Sequence, residues 1–341
     1  MATSSAPSLS PLSFPAATFA KLTPEPYLLA HLQPSDRKAT PTRPSGRSPL
    51  DYRAPQIHSG SLSHSNGSAV VRLGATSIVC GIRGEILRAQ DIPHPYRPYT
   101  TSSSSPSAAP ENNTEISDLS LLVPNLELST GCSPSHLPGN PPSPVAQSLT
   151  HRLLSLLHST SLVPPSSLRI TTTVTEDEET QTVTKAYWAL YIDVLVISHD
   201  GNVFDAAWLA ILAALRDTRL PKAEWDADNE RVVCDPKRDE ARGLGIGELP
   251  IACSFGVFEN GNRIREEEGD MWILADCDAF EEGVVREGAT LVVDDGAVKK
   301  VELGGGQRVG REGMRKMVEQ AGRRAGEWRK IVQDAGKSED S

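Results

Sequence analysis

The sequence predicts an α+β protein of two similar halves, and three observations carry that prediction. Residues 57–86 are short apolar segments separated by turn residues, which is typical of an antiparallel meander. The strongest strand, Trp188–Ile197, leads through a tight turn into an Ala- and Leu-rich helix, Val203–Arg216. More strands follow, and a long amphipathic helix closes the chain from residue 307 to about 334. Strands, a helix, more strands and a closing helix give an α+β order.

Length and composition fit that prediction. The chain has 341 residues, and roughly 150 residues per domain gives about two domains. Hydrophobic residues make up 38% and glycine adds 26 residues, which is an ordinary share for a globular protein. Twenty-three of the 26 prolines lie in residues 1–165, so we expect tails or long insertions in the first half.

Charge and cysteine usage exclude several classes of protein. The formal net charge is −10, with +2 in residues 1–165 and −12 in residues 166–341. An acidic chain does not hold phosphate backbones by bulk charge, so any RNA contact must come from a local patch or a partner. The five cysteines form no C-x-x-C pair, which excludes zinc spacing and a disulfide framework and favours a reducing compartment. No apolar run approaches the ~18 residues of a membrane span, so we expect an intracellular protein.

The first half combines unlike segments. Residues 1–18 are rich in Ser, Pro and Ala and predict a disordered tail. Residues 19–42 carry apolar side chains near helical spacing, which predicts a short docking helix with Thr23 as its N-cap. Residues 91–117 are rich in Pro, Ser and Thr and predict an exposed insertion, whereas the apolar stripe of residues 145–158 predicts an amphipathic helix.

The middle of the chain completes a first domain, residues 43–222. Leu168–Thr173 predicts a strand, and the acidic Glu176–Glu179 cluster predicts an exposed link. Trp188–Ile197 is apolar on both faces, which predicts a central strand covered on both sides. Val203–Arg216 is apolar almost all round, so we expect a buried helix.

The second domain, residues 223–335, is predicted from its own strands and the terminal helix. The strands are expected at Arg231–Cys234, Ile251–Phe258, Met271–Ala275, Thr290–Val293 and Ala297–Leu303. The terminal helix carries an apolar stripe that includes Met317, Ala321 and Trp328, and residues 336–341 form a short tail.

Two charged groups are candidates for chemistry. Asp276, Asp278, Glu281 and Glu282 follow an apolar strand directly, and such carboxylates can hold a cation or act as a general acid. From the residues alone, a solvated acidic loop is the favoured interpretation. The terminal helix is basic and offers candidates for RNA or partner contact, with a solvated polar face as the alternative. These candidates are Arg308, Arg311, Arg315, Arg323 and Arg324.

Several separated motifs resemble the ribonuclease PH family. Arg43-Pro-Ser-Gly-Arg47, then Asp51-Tyr52-Arg53 and the hairpin of residues 66–76, is similar to the opening of that family, with Ser45 in place of the usual Asp. Residues 191–221 resemble its central strand, turn and helix, and parts of residues 250–282 resemble its second domain. The resemblance spans roughly residues 43–330. It implies two sheet-plus-helix domains, the first like ribosomal protein S5 domain 2 and the second the ribonuclease PH C-terminal domain.

The resemblance also implies where a catalytic site would lie. Phosphorolytic members bind phosphate in a Gly-Gly-Thr-Arg or Gly-Ser-Arg-like turn before the central helix. Here that turn is Gly201, Asn202, Val203 and Phe204, without arginine, and we expect the following Asp205 to repel phosphate. Active members also carry two aspartates six residues apart. Asp276 matches the first, but Glu282 stands at the second.

These departures resemble the non-catalytic branch of exosome ring subunits. The resemblance implies a structural subunit of the RNA exosome that supports 3′–5′ RNA processing and degradation, including rRNA maturation and RNA turnover, by guiding single-stranded RNA to a separate nuclease. The implied partners are other ribonuclease PH-like ring subunits and RNA-binding cap proteins, with no membrane, metal or cofactor, and the implied location is nucleus, nucleolus and cytoplasm. Within the branch, residues 19–27, 123–125 and 132–134 resemble one eukaryotic subunit most.

Two alternatives stay open at this point. The first is an active phosphate-dependent 3′–5′ exoribonuclease of the same family that uses Asp276 and Glu282. The second is independent RNA binding through the basic terminal helix, which the acidic total disfavours.

Overall fold

The computed structural model describes residues 14–34, 40–93, 114–134, 136–138, 143–176, 179–259, 271–306 and 309–335. These ranges contain seven α-helices: α1 (Ala16–Leu22), α2 (Pro24–Leu32), α3 (Thr114–Asp118), α4 (Pro144–Thr160), α5 (Val203–Asp217), α6 (Ala279–Val284) and α7 (Arg311–Ala335). They also contain fourteen strands: β1 (Pro55–Ser59), β2 (Gly67–Leu73), β3 (Thr76–Arg88), β4 (Leu122–Leu128), β5 (Arg169–Glu176), β6 (Glu179–Ser198), β7 (Arg219–Leu220), β8 (Ala223–Asp226), β9 (Arg231–Cys234), β10 (Arg242–Gly243), β11 (Ile251–Glu259), β12 (Met271–Ala275), β13 (Glu287–Asp294) and β14 (Ala297–Gly304). None of the helices described is long and apolar enough to cross a membrane.

The first sheet contains the predicted meander. Its strand order is β1-β2-β3-β6-β4, and β5 also pairs with β6. The β1–β2–β3 pairings are antiparallel, as the turn residues predict, whereas β4 runs parallel to β6. β6 has 20 residues, about twice the predicted length, because its first half forms a hairpin with β5 through the Glu176↔Glu179 pair. The acidic cluster therefore closes a hairpin, with residues 177–178 outside the described ranges.

Helix α5 is the buried centre that the sequence predicts. Every residue from Val203 to Leu215 is buried. The helix packs on β2 and β3 of the first sheet and on β11 of the second. Its Trp208 donates an indole hydrogen bond to the Pro250 carbonyl at 2.8 Å, so that burying the ring leaves no orphaned donor. Helix α5 thus joins the two domains.

The second sheet has the order β12-β11-β13-β14 and contains four of the five strands predicted for the second domain; the fifth, Arg231–Cys234, pairs with β8 instead. Helix α7 packs on β11 and β13. The buried residues of α7 recur at three- and four-residue spacing, and they include Met317, Ala321, Ala325, Trp328 and Val332. Two small two-stranded sheets, β7–β10 and β8–β9, lie between the main sheets in the chain.

Some predicted exposures were wrong. Leu195 and Ile197 of β6 are 41% and 49% exposed, because the residues that alternate with them face the core and their own face of the sheet is open to solvent. In the predicted insertion 91–117, residues 94–113 lie outside the described ranges, but α3 ends it with Glu115 and Ile116 buried. Glu115 is buried because Arg169 forms an ion pair with it.

The N-terminal docking segment forms two helices, of which α2 packs on the second domain. Leu28 and Leu32 of α2 are fully buried against a cluster formed by Phe258, Leu274, Cys277 and Val284. Helix α1 begins at Ala16, so residues 16–18 are helical rather than tail, and residues 1–13 and 336–341 lie outside the described ranges. Thr23 stands at the predicted N-cap position of α2, but its hydroxyl makes no capping bond and donates instead to the Phe19 carbonyl at 3.3 Å.

Candidate functional site

The turn between β6 and α5 is packed against the second domain. Gly201 has φ +76°, and a Cβ at this position would lie 2.5 Å from backbone atoms of Cys277 and Asp278. Only glycine meets both conditions. The hydroxyl of Thr76 donates to the Gly201 carbonyl at 2.8 Å and fixes the turn from the first domain. One side of the turn at which the resemblance places phosphate binding is therefore already filled by protein.

Asp276 lies beside this turn, and its fully buried carboxylate accepts hydrogen bonds from three residues. Arg53 donates from its backbone N–H, from Nε and from Nη2 at 2.8–2.9 Å. Arg47 donates at 3.2 Å, and the Asn202 amide donates at 2.6 Å. Burial opposes ionisation, but the hydrogen bonds and charges of Arg53, together with the charge of Arg324, outweigh it and lower the pKa of Asp276 to about 2. Asp276 is held as a structural anion.

Glu282 lies on the other side of Asn202. Its carboxylate accepts the backbone N–H of Asn202 at 2.7 Å, directly before the first residue of α5. Desolvation of the carboxylate raises the pKa of Glu282 to about 7, against this hydrogen bond and the charge of Arg53. Because part of the side chain is exposed, solvent screening limits the effect. The N–H groups at a helix N-terminus favour an acceptor oxygen, and here the protein supplies that oxygen itself.

Asp205 does not face the phosphate position, so the predicted repulsion was wrong. Its buried carboxylate accepts from the backbone and hydroxyl of Ser254 at 2.8 and 2.7 Å and from the Asn202 amide at 3.0 Å. Arg324 completes the shell with an ion pair at 2.7 Å. Asp205 therefore joins α5 to β11 and α7.

Arg324 was wrong as a candidate for RNA contact. It is buried, and its guanidinium stacks on Trp328 at 3.5 Å and on Tyr52 at 4.1 Å. The physical reason is helical spacing, since residue 324 follows Met317 by seven and precedes Trp328 by four and so shares their buried face. Arg311, Arg315 and Arg323 are exposed, although Arg323 forms a surface ion pair with Glu319. Arg308 lies outside the described ranges.

Asp276 and Glu281 of the acidic loop after β12 are buried, which corrects the solvated loop favoured from the residues alone, whereas Asp278 is half-buried and Glu282 is exposed. Arg43 is fully enclosed and donates to Glu281 at 3.0 Å and to the Ala275 carbonyl at 2.9 Å. Arg47 lies 3.8 Å from Glu281 and 3.9 Å from Asp278. Within the described ranges, no group of three or more His, Cys, Asp or Glu side chains is arranged to hold a metal ion. These arginines were not predicted as site residues, although the Arg43–Arg47 and Asp51–Arg53 motifs contain them.

A cleft of about 280 Å³ remains beside the turn. It is lined by residues of both domains that include Phe204, Arg152, His199, Glu282 and Arg286. The guanidinium of Arg152 lies 3.9 Å over the Phe204 ring and is bonded to Glu302 and Thr290 at 2.8 and 3.0 Å. The arginine beside this turn is therefore Arg152 of α4, and its guanidinium already binds a carboxylate and a hydroxyl.

Comparison with known proteins shows the class of protein. Residues 51–221 match the family described as the 3′ exoribonuclease family, domain 1. One relative is more than 30% identical to this chain over most of its length, which agrees with the family match. The chain therefore belongs to the ribonuclease PH family of 3′ exoribonucleases.

The relatives narrow the similarity further. The chain is 33% identical over 296 residues to the exosome complex component rrp43 of Schizosaccharomyces pombe, which covers 86% of this chain and 90% of that protein. It is 28% identical over 294 residues to the exosome complex component Rrp42 of Thermococcus gammatolerans, with the same two coverages. The fold matches a chain of the Archaeoglobus fulgidus exosome with RNA bound to the active site, with a TM-score of 0.64, 21% identity and coverage of 92% and 98% of the two chains. The subunit that residues 19–27, 123–125 and 132–134 resemble is ribosomal RNA-processing protein 43, and the similarity to rrp43 confirms that recognition.

Proposed function

We propose that this chain is a non-catalytic structural subunit of the RNA exosome ring. In this role it supports 3′–5′ RNA processing and degradation, including rRNA maturation, by guiding single-stranded RNA through the assembled ring to a separate nuclease. The support comes from two sources: relatives named as exosome components cover nearly the whole chain, and solved exosome chains share its fold. Its partners are then other ribonuclease PH-like ring subunits and RNA-binding cap proteins.

One observation supports the absence of catalysis: the Glu282 carboxylate accepts the Asn202 N–H at the start of α5. Phosphorolysis needs an inorganic phosphate held in line with the scissile bond, with its charge offset by positioned donors. Here the Asn202 N–H of the turn is used by the chain's own Glu282 carboxyl, which an incoming phosphate would have to displace. The next two residues, Val203 and Phe204, offer no donor side chains.

The hydrogen bonds of the second carboxylate, Asp276, also support the absence of catalysis. Asp276 bonds to Arg53, Arg47 and Asn202, so it has no free lone pair directed at a substrate or metal. Its low pKa of about 2 also makes it a poor proton donor near neutral pH. The family's acid pair has become part of a joint between the domains.

The active alternative can be tested directly. Complexes are assembled with either the unsubstituted chain or Glu282→Gln, the separate nuclease is inactivated, and release of nucleoside diphosphates from single-stranded RNA is measured with and without phosphate. We expect no phosphate-dependent release from either complex. Phosphate-dependent release by the unsubstituted complex that Glu282→Gln abolishes would show an active phosphorolytic site. Asp276→Ala is unsuitable here, because it strands Arg53 and Arg47 without their buried partner.

Ring membership is tested by affinity purification of the tagged full chain from its own cells. We expect other ribonuclease PH-fold subunits and cap proteins in stoichiometric amounts, and fluorescence of the tagged chain in nucleus, nucleolus and cytoplasm. Recovery of the chain without any exosome subunit would reject the proposal.

A further inference from the structure

A second cleft lies at the base of the β5–β6 hairpin and shares no lining residue with the cleft beside α5. Its volume is about 390 Å³, which is within the range of small-molecule sites in proteins. Four parts of the chain form its walls: residues 166–171, Trp188, residues 220–224 and residues 242–245. The proposed role in the ring uses none of these residues.

The deepest residues of this cleft are apolar. Trp188, Ile170 and Leu220 line it, and they are 7%, 4% and 5% exposed. Side chains buried to this degree can contact a ligand only at the bottom of the cleft. An indole ring packs well against another planar ring, so the bottom of the cleft suits an uncharged, planar part of a ligand.

The mouth of the cleft is basic, although the chain as a whole has a net charge of −10. Three cations, Arg169, Lys222 and Arg242, line the cleft against one carboxylate, Glu224. Arg169 forms an ion pair with Glu115, and Lys222 lies 2.7 Å from Glu224. Among the described residues, the Arg242 side chain has no hydrogen bond or ion pair. Its charge is therefore available to a ligand.

Lys222 and Arg242 approach the cleft from neighbouring strands. Arg242 of β10 pairs with Leu220 of β7, and Lys222 follows Leu220 by two residues. The hydrogen bond with Glu224 raises the pKa of Lys222, whereas the charge of Arg242 opposes that rise. The two cations therefore lie close enough to repel each other. An anion that contacts both of them removes this repulsion, which Glu224 does not, because it pairs with Lys222 alone.

Uncharged donors stand beside these cations. Within the part of the chain that the structure describes, the hydroxyls of Ser166 and Ser167 and the N–H of Gly245 make no hydrogen bond. A Cβ at Gly245 would lie 2.6 Å from the Ser167 hydroxyl oxygen, so glycine is needed for the loop to lie against this serine. Cationic side chains combined with hydroxyls and a backbone N–H form a donor set that suits phosphate.

We propose that this cleft binds a nucleoside monophosphate, with its phosphate between Lys222 and Arg242 and its base against Trp188. The folded chain holds every group that this binding needs, so the site does not depend on assembly of the ring. A longer nucleic acid is a poor occupant. It carries one charge per nucleotide, whereas the cleft offers one pair of cations in an acidic protein.

The test is isothermal titration calorimetry of the purified full chain at about 0.15 M salt. The probes are AMP, adenosine, inorganic phosphate and a 5′-phosphorylated RNA oligonucleotide. Lys222→Gln and Arg242→Gln each remove one cation from the cleft. Arg231→Gln is the matched control, because Arg231 is 67% exposed and does not line the cleft. All three side chains reach the surface, so the melting temperature without ligand should match that of the unsubstituted chain.

We expect AMP to bind at least about tenfold more tightly than adenosine or inorganic phosphate, because AMP alone reaches both the cations and the apolar bottom of the cleft. Each cleft variant should raise the Kd of AMP by about tenfold, and Arg231→Gln should change it by less than about twofold.

Four results would overturn the inference. They are no binding of AMP, an equal loss of affinity in Arg231→Gln, inorganic phosphate binding as tightly as AMP, and the RNA oligonucleotide binding more tightly than AMP. None of them affects the proposed ring function, which affinity purification tests separately.

Discussion

The buried pair of Asp205 and Arg324 gives the sharpest test of how the two domains are joined. Arg324→Met keeps most of the side-chain volume and removes the charge that faces Asp205 at 2.7 Å. Breaking a buried ion pair on one side costs about 3–5 kcal/mol, because the remaining charge stays buried without its partner. Ser254 and Asn202 still donate to Asp205, so we place the loss at about 3–4 kcal/mol of unfolding free energy.

The measurement is urea denaturation of the purified chain, followed by circular dichroism and tryptophan fluorescence. Arg323→Met is the matched control, since the neighbouring arginine forms an exposed ion pair with Glu319 and should cost less than about 0.5 kcal/mol. Asp205→Asn combined with Arg324→Met removes both charges, and we expect a coupling energy above about 1.5 kcal/mol. Because the pair links α5 to α7, the transitions of both domains should shift together.

Two results would refute this reasoning. An Arg324→Met chain within about 0.5 kcal/mol of the unsubstituted one would mean that the buried charge of Asp205 needs no cation. Additive effects of Asp205→Asn and Arg324→Met would mean that the two side chains act independently.

Three further predictions concern the turn and the core. Gly201→Ala forces a Cβ to within 2.5 Å of the backbone of Cys277 and Asp278 at φ +76°, so we expect the unfolding free energy measured in urea to fall by more than about 2 kcal/mol. Gly326→Ala is the control, because its Cβ meets open space on α7 and should raise the unfolding free energy by up to ~1 kcal/mol. The pKa of Glu282 is raised from 4.5 to about 7, so the folded protein binds the proton of this carboxyl more tightly than the unfolded chain does. Protonated Glu282 therefore stabilises the fold fully below pH 4.5, and this contribution is lost as the pH rises through about 7. Glu282→Gln should flatten this part of the pH profile of the melting temperature. Trp208→Phe leaves the Pro250 carbonyl without its indole donor and should lower stability by about 1–3 kcal/mol; an unchanged denaturation midpoint would contradict the role of this hydrogen bond.

The elements were predictable where a single pattern decides them. Apolar residues surround α5 on all sides, which correctly predicts its burial between the two sheets. The spacing of Met317, Ala321 and Trp328 correctly predicts the buried face of α7. An apolar run cannot say which side of a sheet is covered, and for this reason the exposure of Leu195 and Ile197 was missed.

The site was only partly predictable. Its location followed from the family motifs, and Asn202 and Glu282 do meet there. The partners of its charges did not follow, because Asp205 and Arg324 are 119 residues apart and no local pattern encodes their contact. The position of Arg324 within the apolar stripe of its helix was nevertheless a signal that it is buried, and net basic charge alone obscured that signal.

The N-terminal arm, formed by α1, α2 and Arg43, can make its final contacts only after the second domain has been synthesised. Arg43 donates to the carbonyl of Ala275, which the ribosome adds 232 residues later. At about 5–20 residues per second, the arm must wait on the order of 10–50 s before its binding surface exists. Leu28 and Leu32, which α2 buries in the second domain, are exposed for that time. Removal of residues 1–42 should uncover the cluster of Phe258, Leu274, Cys277 and Val284 and so destabilise the last-made domain.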